Sequence, residues 1–452
     1  MEASRDGPTT SCHVVALPYP GRGHINPMMN LCKVLSLKNP HILITFVVTE
    51  EWLGFISSEA KPANVRYKTV PNVIPSELGR ANDFPGFIEA VFTKLEQPFE
   101  RFLDQLELPV SAIVTDTYMA WAVGVGNRRN IPVASLWPMS ATVFSVFHHF
   151  ELLVKKGHFP VDLSEQGEEL VNYIPGIPPT RLVDLPTIFR GRGQQVLNRA
   201  LESVSSISNA QYLLFASIYE LESEVIDALK SKLPIPVYSL GPLIPYLQNK
   251  DHEDNSSIDY LEWLNSQRLG SVLYISLGSF LSVSTAQMDE IVAGVRDSGV
   301  PFLWVSRSDS INMSDNEKGM MVPWCDQLRV LSHPSVGGFW THCGWNSTME
   351  SLYAGVSMLT FPIFWDQTTD SKLIVEDWKV GRRVKGSEVL VKRDEIAELV
   401  KGFMDSRSIE GRERRERTRA LKEICKAAVE EGGSTHTNLD SFIKDILLGQ
   451  SC

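Results

Sequence analysis

The sequence predicts an α/β protein made of two doubly wound parallel-sheet domains, one in each half of its 452 residues. Three observations carry this. Short β-branched runs alternate with amphipathic, helix-period segments from end to end, the order that lays helices on both faces of a parallel sheet. The runs are apolar at successive positions, as in Ile42–Val48, which marks strands covered on both faces. A polar, breaker-rich stretch, Gln248–Ser257 (QNKDHEDNSS) after Pro242 and Pro245, interrupts the pattern as an interdomain linker does. The expected division is therefore 1–245, a linker at 246–258, and 259–435. At about 100–200 residues per domain, the length fits two or three domains.

Taken in order, the first half has strands expected at His13–Leu17, Ile42–Val48, Val65–Val70, Ala112–Val114, Pro132–Leu136 and Gln211–Phe215. Between the first two, Pro27–Leu37 reads as a helix, with Asn26 as its N-cap and Pro27 at its first position. The second half opens with a strand at Val272–Ser276. The capping box Ser284-x-x-Gln287 then starts a helix that runs to about Ser298. Strands follow at Phe302–Val305, Val336–Trp340 and Ser357–Phe361, each with a helix after it. Glu410–Lys422, rich in Arg and Glu at helical spacing, reads as a solvated helix face with i,i+4 ion pairs. Ligands of doubly wound folds sit beyond the carboxyl ends of the strands, so two such domains would share one cleft.

Composition removes several functions. With 43 Lys+Arg against 54 Asp+Glu the net charge is −11, the wrong sign for nucleic acid or an anionic membrane surface. The 43% apolar and 21% charged residues exclude a disordered or fibrous chain. No run reaches the roughly 18–20 apolar residues of a membrane span, and Met1–Ser11 is polar, without a signal-peptide core. Cys12, Cys32, Cys325, Cys343, Cys425 and Cys452 form no C-x-x-C pair, as expected of reduced thiols. The expectation is a cytoplasmic monomer that acts on small molecules without integral membrane association.

The densest chemical signal is Trp324–Gln367, WCDQLRVLSHPSVGGFWTHCGWNSTMESLYAGVSMLTFPIFWDQ. Its strand runs into the loop Thr341–Trp345, and a helix starts at Asn346-Ser347-Thr348. Free N–H groups and the positive dipole end at such a start make an anion site. His342 can donate to a phosphate oxygen, Glu350 can accept from ribose hydroxyls, Trp324 can stack on a flat base, and Asp366-Gln367 suits sugar hydroxyls. Taken singly, each residue has a structural reading: His342 as a cap, Trp324 as core, Asp366 as a helix N-cap.

Together these residues resemble the 44-residue signature box of the plant family 1 UDP-sugar-dependent glycosyltransferases: W-x-x-Q, then H-C-G-W-N-S, Glu four residues after Asn, and a closing D-Q. The opening HVVALPYPGRGHINPMMNLCKVL, the segment PLIPYL and EWLNSQRLGSVLYISLGS are similar to that family too. The resemblance implies the GT-B fold, two Rossmann-like domains facing across a cleft, with a last helix near 436–452 packed back on the first domain. It implies that Trp324 stacks on uracil while the Cys325 main chain bonds its edge, and that Gln327 and Glu350 hold the ribose. Ser279, His342, Asn346 and Ser347 would contact the diphosphate; Trp345, Asp366 and Gln367 would face the sugar. The terminal Gln resembles glucose-using members. Another UDP-hexose or a UDP-pentose is the alternative donor.

In P-G-R-G-H-I-N-P, His24 follows Gly21-x-Gly23. A dinucleotide fingerprint would need a third glycine where Asn26 stands, so a nicotinamide oxidoreductase is not favoured. The flanking residues resemble the family's catalytic-base motif, and Asp116 in IVTDTYMAW matches its partner carboxylate. Imidazole titrates near neutrality, and a carboxylate beside it fixes its tautomer and stabilises the imidazolium. A binding module without catalysis would need neither. The implied reaction is direct, inverting displacement at the anomeric carbon, with no cofactor, no metal and no covalent intermediate. Pro138 stands where many relatives have a Thr on the sugar, and Ser217 where many have Asn. Phe84, Phe87, Trp121 and Phe144 are the candidate lining for a flat, apolar acceptor; their helical spacing also suits core positions.

Overall fold

The computed structural model describes residues 12–160, 162–246, 259–278, 283–306, 318–384 and 390–448. The expected linker stretch Gln248–Ser257 and the candidate Ser279 lie outside the described residues.

Seven strands form the first sheet: β1 Cys12–Leu17, β2 Ile42–Thr49, β3 Val65–Val70, β4 Ala112–Asp116, β5 Val133–Trp137, β6 Tyr212–Phe215 and β7 Val237–Ser239. Their order is β3-β2-β1-β4-β5-β6-β7, and every neighbouring pair is parallel. The second sheet has β8 Val272–Ser276, β9 Phe302–Val305, β10 Gly319–Val322, β11 Val336–Thr341, β12 Met358–Thr360 and β13 Gly381–Arg383. Its order, β10-β9-β8-β11-β12-β13, is again all parallel. In both sheets the order of strand addition reverses beside the first strand, between β1 and β4 and between β8 and β11, which is where doubly wound folds bind ligands. Every residue of β1 and β2 is buried, the two-sided burial that the continuous apolar runs required.

Three sequence expectations shift. The first helix begins at Arg22, not at Pro27, and encloses Pro27. Gly21 is its cap, and its carbonyl accepts from the N–H groups of His24 and Ile25. Strand β4 runs on to Asp116, so that carboxylate ends a strand instead of following it. The charged run belongs to helix Ile409–Val429, but its face is not all solvated. Arg417 and Glu413 do pair in the open at 3.2 Å. Arg414 is buried, with its guanidinium 4.3 Å from the Phe403 ring centre, and it donates to the Phe403 carbonyl.

The last helix, Ser434–Leu448, packs on the edge of the first sheet. Phe442, fully buried, lies between Tyr212 of β6 and Tyr238 of β7, ring centres 5.8 and 5.9 Å away. Lys38 at the end of the first helix reaches Asp440 at 2.7 Å, and Tyr238 Oη donates to Asp445. Among the described residues no helix is long and apolar enough to cross a membrane, and Cys12, Cys32, Cys325, Cys343 and Cys425 are free and buried.

Candidate active site

At the reversal point of the first sheet, β1 leads through Pro18–Gly21 to a helix with His24 in its first turn, and β4 ends on Asp116. His24 Nδ1 lies 2.8 Å from Asp116 Oδ2. The other carboxylate oxygen accepts from the Tyr118 N–H at 2.9 Å, and the Asp116 side chain is fully buried. An ionised carboxylate only accepts, so Nδ1 carries the proton and Nε2 is left with its lone pair. The Tyr19 and Tyr118 rings flank the imidazole with centres at 4.9 and 6.0 Å, restricting its rotation.

The reversal point of the second sheet faces it. Strand β11 ends at Thr341, and the helix Trp345–Ala354 begins after Gly344. Its first hydrogen bond to Gly344 comes from the Thr348 N–H, so the N–H groups of Trp345, Asn346 and Ser347 have no partner within the helix. His342 lies between two glycines: a Cβ at Gly344 would stand 2.6 Å from its Nε2, and one at Gly278, where φ is +86°, would stand 3.0 Å away. Burial pushes the His342 imidazole down to about 4, the Ser276 main chain opposing only in part. The ring is therefore neutral at pH 7 and offers a single N–H.

Further along, Trp324 is 70% exposed after β10 and presents an open aromatic face. Gln327 Nε2 donates to Ser347 Oγ at 2.9 Å and also to Glu350, while its Oε1 accepts from Tyr274 at 3.1 Å. Desolvation, reinforced by Asp326 and opposed by Gln327, raises the Glu350 carboxyl to about 7. Burial likewise raises Asp366 to about 6, with Asp370 and His24 among the groups opposing it. Asp370, buried one turn later, accepts from Ser140 Oγ of the first domain at 2.9 Å. Gln367 Oε1 accepts from the N–H groups of Ile363 and Phe364 at 2.8 and 2.9 Å. That fixes its amide so that only the NH₂ end remains for a ligand.

His24, Trp324, Cys325, Gln327, His342, Trp345, Asn346, Ser347, Glu350, Asp366 and Gln367 line one cleft of about 2830 Å³, with Asp116 behind His24. One drug-sized ligand fills about 300–1,000 Å³, so the cleft has room for two molecules side by side. Two of these residues also reach the first domain. Trp345 is 3% exposed and its indole N–H donates to the Ala216 carbonyl at 3.1 Å. Asn346 Nδ2 donates to the Gly23 carbonyl at 3.0 Å.

Of the aromatic candidates, Phe84 lines the cleft. Phe87 is 1% exposed against Tyr19, and Phe144 is fully buried against Trp137 and Phe215. Trp121 gives its N–H to the Val91 carbonyl and packs on Phe99. Those three pack within the first domain and do not line the cleft. The first-domain wall is instead Tyr19, Phe84, Ile88, Phe92, Tyr118 and Met139, closed from the other side by Phe364 and Trp365. Tyr118 and Trp365 are neighbours in sequence of Asp116 and Asp366; no periodicity marked either. Among the described residues no group of three or more His, Cys, Asp and Glu is arranged to hold a metal ion.

Two parallel sheets of this order facing one cleft define the GT-B class of fold. Solved structures agree. Phytolacca americana UGT2 complexed with UDP-2fluoro-glucose and pterostilbene superposes with a TM-score of 0.81 at 27% identity, over 96% of this chain and 99% of that one. Medicago truncatula UGT71G1 complexed with UDP-glucose gives 0.82 at 25% identity, over 96% and 98%. A family model described as UDP-glucoronosyl and UDP-glucosyl transferase matches residues 205–406. UDP-glycosyltransferase 87A2 of Arabidopsis thaliana is 54% identical over 99% of both chains. The 7-deoxyloganetin glucosyltransferase of Catharanthus roseus is 32% identical over 96% of each. The chain belongs to the plant family 1 UDP-glycosyltransferases. It is a UDP-glycosyltransferase of class EC 2.4.1.-, similar to the 87A members.

Proposed function

We propose that this enzyme transfers glucose from UDP-glucose to a hydroxyl or carboxyl group of a small lipophilic metabolite, inverting the anomeric carbon. The observation that carries the reading is the His24–Asp116 pair, 2.8 Å apart with the carboxylate buried and the imidazole open to the cleft, on the opposite side of that cleft from the helix start at Trp345. The uracil stacks on Trp324 and the ribose hydroxyls bond Gln327 and Glu350. The diphosphate meets His342 and the free N–H groups at residues 345–347. Asp366 and the Gln367 NH₂ group face the sugar, and the acceptor lies against Tyr19, Phe84 and Tyr118.

In the reaction with a hydroxyl acceptor, Nε2 of His24 takes the hydroxyl proton as the oxygen bonds to the anomeric carbon, and Asp116 steadies the imidazolium that forms; an ionised carboxylate acceptor attacks without that transfer. The bond from that carbon to the β-phosphate oxygen breaks on the opposite face. The charge left on the phosphate falls on fixed N–H dipoles, which need no reorganisation. Two features support glucose. Gln367 stands with its NH₂ free for a sugar hydroxyl, and the relatives include a named glucosyltransferase. Pro138 lines the cleft but has neither a hydroxyl nor an N–H for the sugar.

His24→Ala tests the assignment. Transfer, read as glucoside by mass spectrometry over an acceptor panel, should fall by about 10²–10⁴-fold, the usual worth of a general base. UDP affinity by calorimetry should stay as it was. Near-native transfer by this variant would overturn the reading.

A further inference from the structure

An α-helical residue donates its N–H to the carbonyl four positions earlier. Pro27 has no N–H, and its ring crowds that carbonyl, so inside the helix Arg22–Lys38 the Gly23 oxygen lacks its helical donor. Asn346 supplies one from the other domain, with Nδ2 at 3.0 Å. The accepting residue immediately precedes His24, and the donating residue is the second of the helix whose free N–H groups face the cleft. Beside it, Trp345 also donates across the cleft, to the Ala216 carbonyl just past β6. Two successive side chains of the anion-binding helix thus bond main-chain oxygens of the first domain.

We propose that Pro27 and Asn346 are a pair of positioning residues: Pro27 leaves the Gly23 carbonyl open, and Asn346 takes it, holding the His24 turn in register with the start of the diphosphate-binding helix. The inference rests on the reaction geometry proposed above. Pro27 is buried and does not line the cleft, so its effect on the reaction is indirect. The Asn346 amide donates to a main-chain oxygen of the first domain, a contact distinct from any made to a phosphate. In this arrangement the base and the leaving-group site are set to one another, as efficient displacement requires.

Two measurements test the pair. In the nucleotide-free enzyme, Asn346→Ala should speed hydrogen exchange at the His24 and Ile25 amides, both bonded to the Gly21 carbonyl, by about three- to tenfold, the worth of one net hydrogen bond. Unchanged exchange there overturns the proposal, and a phosphate contact alone would not move it. Pro27→Ala restores a helical donor to Gly23. It should lower kcat by about three- to tenfold while UDP affinity and melting temperature do not fall. In Pro27→Ala/Asn346→Ala the two losses should not multiply, because both act on one bond; multiplicative losses overturn the coupling. An enzyme whose kcat ignores Pro27→Ala but collapses with His24→Ala refutes this inference alone. Indifference to His24→Ala refutes the reaction reading beneath it.

Discussion

Glu350 is pulled two ways. Its place one turn into the helix beside Gln327 takes water from the carboxyl and raises it to about 7, whereas ribose hydroxyls bond best to an ionised carboxylate. In the folded protein the group holds its proton between its ordinary value and about 7, while the unfolded chain has released it. Its contribution to stability is therefore fully present at low pH and is lost as pH rises through about 7. With the proposed ribose contact, donor binding runs the opposite way, since it needs the charge. The KM for UDP-glucose, a diphosphate diester that does not itself titrate there, should fall as pH rises from 6 to 8. Its slope should approach about tenfold per unit below the carboxyl's titration. Glu350→Gln should flatten that dependence; an equally steep profile in the variant would assign it to another group. The identity of this residue was legible from its spacing after Asn346. The directions of Trp345 and Asn346 were not, because their partners, Ala216 and Gly23, lie 129 and 323 positions away.

At the scale of elements, strands were read with the least error, since two-sided burial writes itself into continuous apolar runs. Val237–Ser239, Gly319–Val322 and Gly381–Arg383 carry no strand signal, since two open on glycine and none holds more than one β-branched residue. The first helix misled for a different reason. Asn26-Pro27 imitates a cap and first turn, but Gly21 sets the start through its carbonyl, and no side chain there advertises a cap. Glycine also shapes the strand–turn–helix unit from Val336 to Ala354. Gly344 has an ordinary φ of −60°, so its requirement comes from the 2.6 Å approach of the His342 ring to a would-be Cβ. Gly344→Ala should displace that imidazole, costing about 1–3 kcal/mol of stability as overpacking does, and should weaken UDP binding. Paired calorimetry and thermal melts check both, and native UDP affinity in a destabilised variant would detach His342 from the nucleotide.

For the whole molecule, the acceptor wall shows where a one-dimensional reading ends. Phe84 and Phe144 look alike in sequence, yet Phe84 meets Phe364 and Trp365 across the cleft, while Phe144 is sealed between Trp137 and Phe215. Only the facing of two domains distinguishes them. That facing is held at the cleft by Trp345, Asn346 and the Ser140–Asp370 bond. Behind it, the last helix returns the end of the chain to the first sheet. The ion pair of that helix, Lys38–Asp440, is partly exposed and so contributes little. The weight falls on Phe442, fully buried against Tyr212 and Tyr238. Phe442→Ala should cost about 3–5 kcal/mol, against under about 1 kcal/mol for Lys38→Ala. Urea titration gives both values if the slope of the transition is unchanged. The cleft residues lie on other elements, so transfer at low temperature should persist in folded Phe442→Ala. A cost below about 1 kcal/mol would mean that the helix does not clasp the first sheet in solution.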